Sequence, residues 1–177
     1  MPSPADLQHE GLQHFQADRL AEAAGCFAEA ARLFAAQGDR ASAAEMKNNL
    51  CVVRLAQEEW DAALAAVGGT PEIFRERGDR LREAQAFANL ARAHEGANHP
   101  DQAAELYEQA IDLLAELGEK ETRAACWKAL SGIQLKQGKQ LQAMASMQAG
   151  LNLVPSLSPK EKTLKALLDK AMQMMGR

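Results

Sequence analysis

Aromatic side chains are scarce in this chain: five Phe, two Trp and one Tyr make up 5% of its 177 residues. A sheet core draws on aromatic and β-branched residues, so a hydrophobic content of 47% carried largely by Ala and Leu favours helices at close approach. Basic runs are also missing. With a net charge of −4 and no long stretch of Lys or Arg, the chain lacks the means to neutralise several phosphates in a row, which argues against nucleic-acid binding. The three cysteines, Cys26, Cys51 and Cys126, form no CxxC pair and read as buried free thiols of a reducing compartment. No apolar run approaches membrane-spanning length, and Met1-Pro2-Ser3-Pro4 opens without a basic segment leading an apolar one; the expectation is a soluble, cytoplasmic protein.

Catalytic signatures are absent too. There is no nucleophile elbow, no glycine loop to cradle phosphate and no Cys/His pairing, and the acids sit at helix starts and solvent-facing positions, so neither enzyme activity nor a cofactor is expected. His9-Glu10-Gly11-Leu12-Gln13-His14 and His94-Glu95-Gly96-Ala97-Asn98-His99 resemble zinc motifs at first sight. A helical zinc pair needs histidines four apart, whereas these are five apart and diverge on a helical wheel, so no metal site is expected. His14 and His94 are read instead as half-buried rings with a satisfied nitrogen.

What the chain does have is a period. Small residues recur at forty-residue intervals in two columns, Gly11, Cys51, Ala91, Ser131 and Ala23, Ala63, Ala103, Ala143. Glycine turns recur with them: Gln37-Gly38-Asp39-Arg40, Arg77-Gly78-Asp79-Arg80 and Leu117-Gly118-Glu119-Lys120 each end one helix and start the next. Ser3-Pro4-Ala5-Asp6 and Ser158-Pro159-Lys160-Glu161 carry the same start chemistry, a hydroxyl cap, proline in the first turn and an acid three residues on. The second repeat is interrupted. Gly68-Gly69-Thr70-Pro71 falls inside a helix, where proline removes a backbone donor and clashes one turn back, so the helix is predicted to break and restart with Thr70 as cap. That break is either a tolerated kink or a local widening of a binding surface.

The clearest unit is the fourth. Trp127, Leu130, Ser131, Gln134, Ala143, Met147, Gly150 and Pro155 follow the spacing of the tetratricopeptide repeat, with Gln134 and Met147 departing in residue class. The chain therefore resembles tetratricopeptide repeat proteins over nearly its whole length, and its longer unit and Gly-Asp linkers resemble the Pins-type adaptors. The resemblance implies an all-α, right-handed α-solenoid as a single domain over 1–177: four helix hairpins at about 3–38, 39–78, 79–118 and 119–157, closed by a capping helix over 158–175. Leu167 and Ala171 fall on the repeat's columns, which makes that last helix the first half of a fifth unit.

By the same resemblance, the first helix of each repeat lines an inner groove. Asn49 and Asn89 match the column where peptide-binding members hold a ligand backbone, whereas the carboxylate clamp of chaperone-binding members is reduced here to Asn49, so binding of that type is disfavoured. Arg92, Lys128 and Lys136 make the later part of the groove basic, and Leu12, Phe15, Val52 and Leu55 make the earlier part apolar. The expected function is a non-catalytic interaction module for a protein or peptide ligand with an acidic segment. The alternative is a unit that self-associates through its end surfaces or its C-terminal helix; Met144, Met147, Met172, Met174 and Met175 cluster late in the chain and read as packing residues, with the Met174-Met175 tail also able to meet a partner.

Overall fold

A computed structural model describes residues 2–175, and among these the regular structure is entirely α-helical. Ten helices run in order: α1 (Pro4–Gln16), α2 (Leu20–Ala36), α3 (Arg40–Ala56), α4 (Trp60–Val67), α5 (Thr70–Glu76), α6 (Arg80–Gly96), α7 (Pro100–Leu117), α8 (Lys120–Lys136), α9 (Gln140–Leu153) and α10 (Pro159–Met175). Local chemistry explains their starts. Ser3 and Asp6 form a reciprocal capping box at α1, and Asp39 and Asp79 accept from the backbone N–H of Ser42 and Arg82 at α3 and α6. Gly38, Gly78 and Gly118, with φ of +79°, +72° and +74°, supply the left-handed residue that closes each preceding helix.

The helices group into two compact units, residues through Leu106 and residues from Tyr107 on, with the division inside α7. In the first unit α1 packs on α2, α2 on α3, α3 on α4, α5 and α6, and α6 also on α4 and α5. The small columns explain the fit. A Cβ built on Gly11 would stand 2.8 Å from the Phe27 ring, so the ring of α2 lies directly on the backbone of α1. Cys51, Ala63, Ala23 and Ala91 are fully buried at the equivalent positions.

The interruption in the second repeat is real and local. α4 stops at Val67, Gly69 takes φ +75°, and Pro71 sits in the first turn of α5, where a missing N–H goes unused. Thr70 does not cap α5 as expected; Gly69 holds the cap position, and the Thr70 hydroxyl donates back to the Val67 carbonyl at 2.8 Å. Pro71 and Phe74 are buried, so α5 still carries its side of the core.

In the second unit α8 packs on α9 and α9 on α10. Polar residues reinforce the first contact. The Ser131 hydroxyl donates to the Ala143 carbonyl at 2.7 Å, and the Ser146 hydroxyl to the Gln134 side-chain oxygen at 2.8 Å, so both small-column residues of the fourth repeat meet across the hairpin. α10 is tied back by Lys128 on Glu161 at 2.7 Å and by Gln148 on Asp169. Cys51 and Cys126 are buried free thiols and Cys26 is partly buried.

Two glycine substitutions should move stability in opposite directions. A Cβ on Gly96 would lie 2.2 Å from the Trp60 ring, so Gly96→Ala is expected to cost about 1–3 kcal/mol through overpacking. Gly25 is exposed within α2 with nothing near its missing Cβ, so Gly25→Ala should add about 0.5–1 kcal/mol. Urea denaturation of both variants measures this; equal effects would contradict the packing at Trp60.

Candidate functional site

α3 and α6 are the first helices of the second and third repeats, and residues three and four apart on each share one face. Between them lies a recess of about 290 Å³ lined by Glu45, Asn48, Asn49, Phe74, Leu81, Arg82 and Gln85. Phe74 forms its apolar floor from α5, and amides and charges form its walls. Arg82 on α6 pairs with Glu45 on α3 at 3.2 Å and with Asp79 at 2.7 Å. Further along, the Asn89 side chain donates to the Asn48 side-chain oxygen at 3.0 Å.

These contacts rearrange the expected site. Asn49 lines the recess, but the amide that Asn89 meets is Asn48, its neighbour in sequence. One donor of Asn89 is thereby used, and its carbonyl oxygen and second N–H are the groups it can offer elsewhere. Arg92, one turn beyond Asn89, is exposed. Its charge reaches Cys51, whose thiol burial pushes up to about 12 while Arg92 pulls it down. Such a thiol stays protonated and inert at neutral pH. Burial likewise raises Cys126, to about 11.

The apolar set divides. Leu12 is exposed, Val52 is half-buried, and Phe15 packs against the first core cluster. Leu55 is only 5% exposed and belongs to the core cluster with Cys51, Ala63 and Phe74, so it is a packing residue and not part of an open lining. The helical face assigned to it by spacing turns inward because α4 and α5 both press on α3.

Lys128 and Lys136 belong to the second unit. Lys128 is neutralised by Glu161, and Lys136 lies exposed in the last turn of α8. The Lys128 ammonium, followed by the Ser158 backbone N–H and hydroxyl, holds the Glu161 carboxyl down at about 2.

The histidines also differ from the wheel argument. His94 and His99 approach with their Nδ1 atoms 3.3 Å apart, because α6 ends at Gly96 and Asn98, at φ +60°, folds the chain back. Burial, and then the neighbouring ring, lowers the pKa of His94. His14 accepts from Arg19 at 2.8 Å, the satisfied ring expected of it. Among the described residues no three or more His, Cys, Asp or Glu side chains are placed to share a metal ion, and no helix is long and apolar enough to cross a membrane.

Comparison with known proteins adds a family to this geometry. Residues 42–116 match the family model described as Tetratricopeptide repeat. A solved structure described as the TPR2AB domain:pHSP90 complex of yeast Sti1 matches with a TM-score of 0.51 and 15% identity, covering 97% of this chain and 84% of that one. At that identity the likeness speaks for the fold alone. No curated protein sequence matches the chain.

The Lys128–Glu161 tie has a pH signature. A carboxyl depressed to about 2 from its usual 4.5 contributes stability above its unfolded value and loses it as pH falls towards 2. Wild type should therefore melt higher than Glu161→Gln at pH 6, with the gap closing between about pH 4.5 and 2. A gap independent of pH would contradict the ion pair.

Proposed function

Residues 42–116 match the tetratricopeptide repeat family, and from that premise we propose that the chain is a tetratricopeptide repeat protein, a non-catalytic interaction module holding an extended peptide along α3 and α6. A tetratricopeptide fold is a scaffold for protein–protein contacts; the residues decide what kind of contact. The observation that carries the reading is the recess beside Asn49, where side-chain amides from two neighbouring first helices converge above an apolar floor.

An extended peptide has unpaired backbone donors and acceptors, and an amide side chain can serve either. Asn49 supplies one such group, and Asn89, steadied by Asn48, supplies a second on the next first helix. The charges close to them are mostly cancelled. Glu45 and Arg82 are paired, so specificity by charge falls to Arg92, which suits an acidic residue of the ligand. Leu12 and Val52 are the apolar groups of the expected lining that stay open to a side chain in this unit. The Sti1 structure is described as a complex with pHSP90; the likeness lends support to a protein or peptide ligand here without naming one.

The test is a peptide selected against the full chain by display, measured by fluorescence anisotropy. Asn49→Ala/Asn89→Ala/Arg92→Ala, folded by circular dichroism, is expected to weaken binding at least about tenfold, the loss of one charge-assisted contact and two amide contacts. Undiminished affinity would place the ligand elsewhere. Light scattering of the free protein addresses self-association: a monomer agrees with the module, and a stable oligomer lost on altering α10 favours the alternative.

A further inference from the structure

α10 presents an apolar stripe to solvent. Leu164, Leu167 and Met174 are 39%, 61% and 70% exposed, and with Ala171 they fall at helical spacing on one face, while Leu168 on the next face is buried. The repeat says what such a face is for. Forty residues earlier, Ser131 and Gln134 on α8 occupy the columns of Ala171 and Met174, and both are buried by α9, which bonds to each. Gln134 is 8% exposed against 70% for Met174 at the equivalent place. Phe87, on the column of Leu167, is 5% exposed. The stripe is thus the face that a first helix turns towards the second helix of its own hairpin, and here it lies open to solvent.

Charge narrows the occupant. α10 carries Lys160, Lys162, Lys165 and Lys170 against two acids, Glu161 and Asp169, and both acids are engaged by Lys128 and Gln148. Lys160 continues the stripe at its N-terminal end, and Lys170 borders it. A face of the same kind on a second copy would bring lysines against lysines. We propose that the outward face of α10 is a docking site for an acidic amphipathic helix of a partner protein, packed as the second helix of a fifth hairpin. The site is separate from the recess between α3 and α6 and does not depend on it.

The chain itself supplies a probe with that chemistry. α7 carries five acids and no Lys or Arg, with Ala103, Tyr107 and Ala110 on the second-helix columns. A fluorescent synthetic peptide of residues 100–117, titrated with the full-length protein at low salt, should bind saturably. Leu167→Glu/Met174→Glu should weaken binding at least about tenfold by removing the apolar contact and adding repulsion. Lys160→Glu/Lys170→Glu should weaken it about threefold or more and flatten its salt dependence. All four positions lie on the outward face, and circular dichroism of each variant confirms the fold. Absence of saturable binding at 0.5 mM peptide, roughly the weak limit for one helix face, would overturn the proposal, as would binding unchanged in both double variants. Two further outcomes overturn it in favour of other occupants: sedimentation with phosphatidylserine vesicles that Leu167→Glu/Met174→Glu abolishes, and a dimer of the free chain that the same variant dissociates.

Discussion

Close approach of helix backbones through small side chains is the constraint on which the packing rests. Phe27 lies on Gly11 because no Cβ intervenes, and Trp60 lies on Gly96 for the same reason. Ala23, Ala63, Ala103 and Ala143, one per repeat, are all but fully buried at the equivalent place on each second helix. Ala and Gly bring little apolar area of their own; their contribution is distance, letting the larger residues of the neighbouring helix reach past them. A chain short of aromatics can build a core this way. Phe27, Phe74 and Met46 fill the first unit, and Leu130, Ile133 and Leu151 the second, where the small columns leave room.

Helices this close leave few polar groups idle, and that shapes what the surface can recognise. Between α3 and α6 the ion pair Glu45–Arg82 and the amide bond Asn48–Asn89 cross from one helix to the other, so the same groups brace the helices and wall the recess. Of the expected site, the groups remaining for a ligand are the amide of Asn49, the carbonyl oxygen and second N–H of Asn89 and the charge of Arg92. In the second unit, Lys128 is likewise spent on Glu161 in holding α10. The basic reach expected of the groove is narrower than a count of its lysines and arginines suggests.

Features set by backbone geometry were legible in the sequence. Glycine turns, aspartate caps, the small columns and the break at Gly68-Pro71 follow from steric rules that act within a few residues. Features set by partners were not. Leu55 reads as groove-lining on a helical wheel, but the break turns one second helix into two, and both α4 and α5 pack on α3. The His94–His99 contact was missed because a wheel assumes an unbroken helix, although Asn98 before His99 was a turn signal available in the sequence. Lys128–Glu161 joins residues far apart in the chain, and no local spacing could find it. Only the side-chain directions of α3 and α6 show that Asn48, and not Asn49, meets Asn89.

The small-column constraint can be tested by one comparison within a single helix. Ala23 and Ala21 both lie on α2, the first fully buried on the column and the second exposed. Equilibrium urea denaturation of Ala23→Leu should show a loss of about 1–3 kcal/mol from overpacking, while Ala21→Leu stays within about 0.5 kcal/mol of wild type. Equal stabilities for the two variants would contradict the claim that close backbone approach holds these helices together.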